Sequence, residues 1–168
     1  MGEDVWAGGV GRQLNSEAAN GLADSTGPLS IHEVMSMIKH RYPLLLIDRI
    51  VDCVPGRSIH GLKNVSRGET IAATKDGLPR LVLVEALAQV SVILTFKTLR
   101  LQPTGNELMF FAGIDDGHFE GSVRPGDVVS LYSEIVRLRK TMGWFRAAAC
   151  VDGRTVARMS MLAAIQLG

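Results

Sequence analysis

The sequence contains few cysteines, no excess of charge of either sign and no long uninterrupted apolar run. Its two cysteines, Cys53 and Cys150, are far apart and have neither a CxxC spacing nor histidine-rich neighbours. This pattern disfavours a disulfide or a zinc site and predicts two buried, reduced thiols. Lysine and arginine together number 18 against 17 acidic residues, so no global charge attracts nucleic acid or an anionic membrane. We therefore expect no nucleic acid or membrane partner, no cofactor and no metal.

A targeting segment and a membrane-spanning segment are also missing from the sequence. Residues 1–29 contain no basic stretch followed by a continuous apolar stretch, as a signal peptide would require. The longest apolar run, residues 81–96, is interrupted by Glu85 and Gln89 and is shorter than the roughly 20 residues that a membrane-spanning helix needs. We predict a cytoplasmic protein in which this run forms a buried helix.

The length and composition predict one folded domain preceded by a flexible arm. With 46% of its 168 residues apolar, the chain is long enough for one substantial core and too short for two. Residues 1–29 are rich in Gly, Ala, Ser, Asn and Asp, which predicts a flexible N-terminal arm; the domain is predicted to span residues 30–168. Ser30 is a suitable N-cap with Glu33 at the capping-box position, and together they predict a short helix that ends near His40.

The rest of the domain alternates strand-like and turn-like segments around one long helix. LLLIDRIVD and SIHGLKNV flank a Pro55-Gly56 turn and predict a hairpin. Residues 81–99 are apolar on all sides of the helix axis, which is typical of a central buried helix. Segments rich in β-branched and aromatic residues follow at residues 107–119, 127–140 and 144–167, the last split by an Asp152-Gly153 turn. The sum predicts an α+β fold in which one long helix packs on an antiparallel sheet of five or six strands.

Four linked motifs give the sequence a family resemblance. In order they read HRYPLLLIDRIVDCVPG, GLKNVSRGE, LVEALAQ and FFAGIDDGHFEGSVRPGD, and with this spacing the chain resembles the FabZ-type 3-hydroxyacyl-[acyl-carrier-protein] dehydratases over about residues 31–167. The resemblance implies a hotdog fold, in which a sheet wraps a central helix and two subunits pair to form active sites between them. It also implies fatty acid or polyketide-type synthesis, an acyl carrier protein as partner, and a homodimer or a larger homo-oligomer such as a hexamer.

One motif of that family is absent. Family members place Gly-His-Phe-Pro-Gly between the KNV strand and the EALAQ helix, whereas this interval reads RGETIAATKDGLPRLVLV, shorter and without histidine. In the family the loop histidine takes the α-proton, the helix carboxylate manages the hydroxyl group, and a backbone N–H near the helix start holds the thioester carbonyl. Glu85 matches the carboxylate, and nothing matches the histidine. The resemblance therefore implies reduced or unconventional catalysis.

Glu85 and its neighbours are the predicted site. Because Glu85 lies in the apolar run LVLVEALAQVSVIL, desolvation is expected to raise its pKa into the range of a general acid; the alternative is that it only accepts hydrogen bonds at a subunit interface. Gln89 lies one turn further on the same face and is predicted to position the substrate or to satisfy the core. Leu78, before the helix, is predicted to position the substrate. Phe110 and Phe111 are predicted to line the acyl channel or the core beneath it.

Histidines and cations complete the set of candidates. His40 is the possible substitute for the missing base, with helix capping as its alternative role; His32, His60 and His118 are expected at the surface or half-buried. A group of cations is predicted, collectively rather than residue by residue, to form a patch for the acidic carrier protein and the phosphate of its pantetheine arm. That group comprises Arg41, Lys63, Arg67, Lys97, Arg100, Arg124, Arg137, Arg139 and Lys140.

Three functions are compatible with these residues, in the following order of preference. The first is an active or specialised dehydratase centred on Glu85. The second is a catalytically silent subunit that contributes Glu85 to a site shared with a histidine-bearing dehydratase homologue in a hetero-oligomer. The third is a hotdog acyl-thioester hydrolase, in which a carboxylate on the central helix activates water and no histidine is needed.

Overall fold

One antiparallel sheet and one long helix make up most of the domain. The computed structural model describes residues 25–68, 77–102, 108–140 and 142–166, and the sheet has the order β1-β2-β4-β5-β6-β3. The predicted α+β arrangement, with six strands, is confirmed. The elements are α1 (Ile31–Met37), β1 (Arg49–Val54), β2 (Ser58–Asn64), α2 (Arg80–Leu99), β3 (Leu108–Phe119), β4 (Val128–Arg139), β5 (Met142–Val151) and β6 (Arg154–Gln166).

Helix α2 is the core helix because its apolar side chains point in every direction. Residues 86–96 are buried without interruption, and side chains such as Leu87 and Ile93, which are fully buried, each contribute roughly 1.5–3 kcal/mol by leaving water. The helix is long and apolar enough to cross a membrane, but 72% of its apolar stretch is buried inside the domain. Its hydrophobicity is therefore used in packing against the sheet.

Three contacts fix how α2 lies on the sheet. A Cβ atom added at Gly61 of β2 would lie 2.9 Å from Cγ1 of Val90, so this strand approaches the helix more closely than other residues would allow. The Ser91 and Ser133 hydroxyl oxygens lie 2.7 Å apart and join α2 to β4. At the C-terminal end of α2, the N–H of Gly56 donates to the Thr98 hydroxyl at 2.8 Å, which holds the β1–β2 turn at that end of the helix.

The folded domain begins upstream of the predicted boundary at Ser30. The backbone N–H and carbonyl groups of Leu29 exchange two hydrogen bonds of 3.0 Å with Ile50 of β1, and the Leu29 side chain is part of the core. The segment before Ser30 therefore covers part of the free edge of β1 and belongs to the domain from Ser25 onward. The prediction of a flexible arm for residues 1–24 lies outside the residues that the structure describes.

Helix α1 starts with the predicted capping box but ends at Met37 instead of near His40. Ile38 is extended, with φ −118° and ψ 148°. The Arg41 guanidinium then donates to the carbonyl oxygens of Met35 at 2.9 Å and Ile38 at 2.8 Å, which satisfies groups left open where the helix stops. His40 consequently lies in the extended connection between α1 and β1.

Both cysteines are buried and unpaired by a disulfide, as predicted. Burial is the main cause that raises the pKa of Cys53 to about 11, and it also raises the pKa of Cys150. A thiol reacts as its thiolate, so both side chains act as small apolar residues of the core.

His60 of β2 is expected to make the stability of the domain depend on pH. Its ring stacks on Tyr132 with centroids 4.3 Å apart, and burial lowers its pKa from 6.5. The His60 ring therefore binds a proton more readily in the unfolded chain than in the folded protein. The contribution of neutral His60 to the free energy of unfolding should be fully present above pH 6.5 and should decline as the pH falls towards the lowered pKa. Urea unfolding at a series of pH values measures this, and His60→Phe, which keeps the stacked ring, should flatten that part of the profile. An unchanged slope in the variant would contradict the assignment.

Candidate active site

Glu85 lies on the second turn of α2 with 40% of its side chain exposed. One carboxylate oxygen, Oε1, accepts two hydrogen bonds, from His40 Nε2 at 3.2 Å and from Gln89 Nε2 at 3.0 Å. The carboxylate is thus held in place through Oε1, while the exposed part of the side chain remains accessible to a ligand.

The pKa of Glu85 is lowered, so the prediction that it is raised is wrong. The hydrogen bond from His40 is the largest cause; desolvation opposes it, and the Gln89 hydrogen bond and the charge of His40 lower the pKa further. Desolvation loses because the side chain is only half-buried and two donors stabilise the charged form. The carboxyl group is therefore ionised at neutral pH, and it starts a reaction as a proton acceptor.

Gln89 links Glu85 to the segment that precedes β1 by hydrogen bonds. Its Nε2 donates to the carbonyl of Leu44 at 2.7 Å as well as to Glu85, and its Oε1 accepts from the N–H of Leu46 at 3.0 Å. A carbonyl on one side and an N–H on the other fix the orientation of the amide. The side chain is 1% exposed and both amide protons are used, so it acts on a substrate only through Glu85 and this segment. The same contacts explain why LLLIDRIVD is not one strand and β1 starts only at Arg49.

His40 is brought to Glu85 by the connection after α1. Its Nε2 donates to the carboxylate, while Nδ1 is buried and has no hydrogen-bond partner among the described residues. Neither ring nitrogen is open to take a proton from a substrate in this arrangement. The structure thus places the predicted substitute base beside the carboxylate, in a position to hold it.

The other predicted positioning residues lie elsewhere. The N–H of Leu78 donates to the carbonyl of Val123 at 2.7 Å and its side chain is buried, so Leu78 packs in the core at the start of α2, and its role in positioning the substrate stays a prediction. Phe110 and Phe111 of β3 are 50% and 37% exposed. They occupy the free edge of the sheet in a single chain, so they do not line a closed channel within it.

An apolar surface next to Glu85 is not evident from the sequence. Tyr42, Leu44 and Leu81 are all more than half exposed; Leu81 precedes Glu85 by one turn on the same helix face. Exposed apolar side chains grouped in this way mark a surface that binds another molecule. In an all-apolar helix, no sequence signal separates this exposed leucine from the buried ones.

Two residues of the predicted cation patch do not fit it in the structure. Lys63 is buried, with 4% exposure, and the Arg41 guanidinium is bound to carbonyl oxygens around the end of α1. Among the described residues no group of three or more His, Cys, Asp and Glu side chains is arranged to hold a metal ion. The remaining cations of the set are exposed or half-buried.

Sequence comparison finds relatives that cover nearly the whole domain. A family model described as a FabA-like domain matches residues 38–160. The 3-hydroxyacyl-[acyl-carrier-protein] dehydratase FabZ of Pseudoalteromonas translucida (strain TAC 125) is 37% identical over 147 residues, which are 85% of this chain and 97% of that protein. The FabZ of Dechloromonas aromatica (strain RCB) is 36% identical over 140 residues, or 81% of this chain and 97% of that protein.

Solved structures confirm the hotdog fold. The dehydratase heterocomplex ApeI:P from Xenorhabdus doucetiae superposes with a TM-score of 0.69 at 16% identity, covering 80% of this chain and 91% of that one. A mutant thioesterase from Pseudomonas aeruginosa gives a TM-score of 0.62 at 12% identity, covering 81% and 93%. At these identities the likeness is one of fold, and it includes both dehydratases and thioesterases.

Proposed function

The chain belongs to the FabA-like domain family, together with the FabZ dehydratases, and we propose that it removes water from 3-hydroxyacyl chains carried by an acyl carrier protein. Glu85 in LVEALAQ is the proposed catalytic residue. The observation that carries the proposal is the state of its carboxylate: His40 and Gln89 hold it through one oxygen, and 40% of the side chain is exposed to a substrate.

The proposed chemistry uses Glu85 for both proton transfers. Its Oε2 takes a proton from C2 of the acyl chain, the electrons of that C–H bond form the C2–C3 double bond, and the C3–O bond breaks. The departing oxygen then takes the proton back from the carboxyl group and leaves as water. Since C2 and C3 are adjacent, one carboxyl group can reach both positions. Its lowered pKa makes it a weak base, so turnover should be slow compared with a site that has a complete acid–base pair.

The thioester oxygen, which gains negative charge during this reaction, needs hydrogen-bond donors. Helix α2 begins without a side-chain cap, so N–H groups of its first turn lack that partner at the positive end of the helix dipole. We place the thioester oxygen at this end, near Arg80 and Leu81, about one turn from Glu85. The N–H of Leu78 is not available for this role, because it is already bonded to the carbonyl of Val123.

The proposed assembly is a homodimer formed through β3. This strand of 12 residues is the free edge of the sheet, and Phe110, Phe111 and Ile114 on it are between 37% and 50% exposed. An exposed, apolar edge strand is a template for pairing with another chain, and a twofold axis makes the two β3 strands antiparallel. Pairing would cover these side chains and bring the two sites towards the shared interface.

His40→Leu should move the pH dependence of the reaction. The hydrogen bond from His40 is the largest cause that lowers the pKa of Glu85, and desolvation opposes it. Removing this hydrogen bond should therefore raise the pKa of Glu85. The reaction needs the ionised carboxylate, so the acidic limb of kcat/KM should shift to higher pH. Without His40 the carboxylate is also no longer held in position, and this loss should outweigh its stronger basicity, so the rate at neutral pH should fall roughly tenfold.

His40→Gln, whose amide can still donate to the carboxylate, should restore part of the rate and of the profile. A pH–rate profile measured with 3-hydroxyacyl carrier protein tests this. If His40→Leu lowers the rate equally at every pH, His40 does not act through Glu85.

A second candidate is a subunit of a mixed dehydratase that shares a site with a histidine-bearing homologue. The absence of histidine between Asn64 and Glu85 favours it, and it would use the same β3 edge. It differs from the first in one result: the chain alone would be inactive, and activity would appear on addition of the homologue.

Thioester hydrolysis by the same carboxylate would release a free acid and a thiol instead of an enoyl thioester.

A further inference from the structure

A four-residue turn that begins at Arg41 lies in the connection between α1 and β1. The carbonyl oxygen of Arg41 accepts hydrogen bonds from the N–H groups of Leu44 at 2.8 Å and Leu45 at 3.1 Å, and the first of these bonds closes the turn. Tyr42 and Pro43 occupy its two central positions. These two residues therefore form the tip of the turn.

Both ends of this turn are bonded to the candidate active site. On one side, His40 Nε2 donates to Oε1 of Glu85 at 3.2 Å. On the other side, the carbonyl of Leu44 accepts a hydrogen bond from Gln89 at 2.7 Å, and the same amide donates to Glu85. Tyr42 is two residues from His40 and two from Leu44, so its Cα lies within about 7.6 Å of the Cα of each. The tip of the turn is thus held next to the carboxylate.

The Tyr42 ring is not used in the core of the domain. It is 78% exposed, whereas the other tyrosine, Tyr132, is buried and stacks on His60. A buried aromatic ring stabilises a protein by leaving water, and the ring of Tyr42 gains little in this way. Its position beside Glu85 therefore indicates a role towards a bound molecule.

We propose that Tyr42 is a second catalytic residue, whose hydroxyl donates a hydrogen bond to the oxygen on C3 of the substrate as the C3–O bond breaks. This inference rests on the proposed function, in which Glu85 takes the proton from C2 and returns it to the departing oxygen. Tyr42 keeps its own proton throughout, and the oxygen leaves as water with the proton from Glu85. The proposal adds a residue that contacts the reacting atoms.

The departing oxygen needs such a donor. Negative charge develops on it before the proton from Glu85 arrives, and a hydrogen bond that strengthens with this charge lowers the barrier to the reaction. The sequence has no histidine between Asn64 and Glu85 that would provide this contact. A tyrosine hydroxyl is a hydrogen-bond donor, and the turn holds that of Tyr42 on the side of α2 where His40 and Gln89 fix the carboxylate.

Tyr42→Phe removes the hydroxyl and keeps the ring. It should lower kcat for 3-hydroxyacyl carrier protein roughly tenfold, the effect of one hydrogen bond to a charged group. KM should change little, because the contact becomes strong only as the C3–O bond breaks. Tyr132→Phe makes the same change on the buried tyrosine, away from Glu85, and should leave kcat and KM as they are in the wild type. Unfolding curves recorded on both variants verify that they are folded at the assay temperature.

A change of leaving group separates this role from a structural one. In a 3-chloroacyl thioester Glu85 takes the same proton from C2, and chloride leaves with the electrons of the C3–Cl bond, so no departing oxygen has to be stabilised. On 3-chlorobutyryl N-acetylcysteamine thioester, after subtraction of the spontaneous rate, Tyr42→Phe should be as fast as the wild type. On 3-hydroxybutyryl N-acetylcysteamine thioester it should be roughly tenfold slower than the wild type. Glu85→Gln should be slow on both.

Three results would overturn the proposal, and they differ in what they leave standing. If Tyr42→Phe slows both eliminations equally, Tyr42 shapes the site and does not bind the departing oxygen. If Tyr42→Phe is as fast as the wild type on the 3-hydroxyacyl substrates, the hydroxyl has no role, and the proposed function stands without it. If the folded wild type forms no enoyl product from the 3-hydroxyacyl substrates, the proposed function fails, and this role of Tyr42 fails with it.

Discussion

Glu85→Gln should lower the rate of dehydration of 3-hydroxyacyl carrier protein by about 10²-fold to 10⁴-fold, the range in which a single acid–base group contributes. The amide has the shape of the carboxylate but cannot accept the proton from C2. Because the side chain is half-exposed and the substitution removes no packing, the protein should remain folded. The measurement is the rate of enoyl product formation, with unfolding curves recorded on the same preparations.

Glu120→Gln is the matched control for this substitution, since Glu120 is an exposed glutamate in the loop after β3. It should leave the rate unchanged. Equal rates for wild type and Glu85→Gln would mean that the reaction uses groups other than the carboxylate on α2.

Gln89→Leu should cause the largest loss of stability among substitutions at the site. Leucine fills a similar volume but leaves the carbonyl of Leu44 and the N–H of Leu46 without the partners that they have at 2.7 Å and 3.0 Å. A backbone group left buried and unbonded costs about 1–3 kcal/mol. The Leu46 contact is buried and the Leu44 contact only part-buried, so the free energy of unfolding should fall by roughly 1–3 kcal/mol, mainly through the N–H of Leu46. Activity should fall too, because the amide also holds Glu85.

Urea unfolding measures the effect of this substitution. Gln102→Leu makes the same change on an exposed side chain after α2 and should change the free energy of unfolding by less than about 0.5 kcal/mol. If both variants are equally stable, Gln89 does not join the two segments in the way described.

The architecture could be predicted because its signals are local in the sequence. An apolar stretch on all sides of a helix axis predicted α2, and β-rich segments separated by turns predicted the strands from β2 to β6 to within a few residues. The start of the domain was misplaced because Leu29 is held by Ile50, a contact that composition does not record. The end of α1 was misplaced because the Arg41 side chain bonds the final carbonyls and the chain extends from Ile38.

The site could be predicted as a set of residues and not as an electrostatic arrangement. Glu85 and Gln89 are four residues apart on one helix, so their contact follows from helical spacing. The approach of His40 depends on how the connection after α1 crosses α2, and that approach reverses the expected shift of the Glu85 pKa. The hydrogen bond from the N–H of Leu78 to the carbonyl of Val123 could not be predicted either, because Val123 lies 45 residues further along the chain.

The most direct test of the central claim is to incubate the purified chain alone with 3-hydroxyacyl carrier protein and to identify the product by mass spectrometry. We expect slow formation of the enoyl carrier protein, with loss of one water per acyl chain, and no such product with Glu85→Gln. Formation of the enoyl product only after a histidine-bearing homologue is added, or release of the free acid in its place, would contradict it.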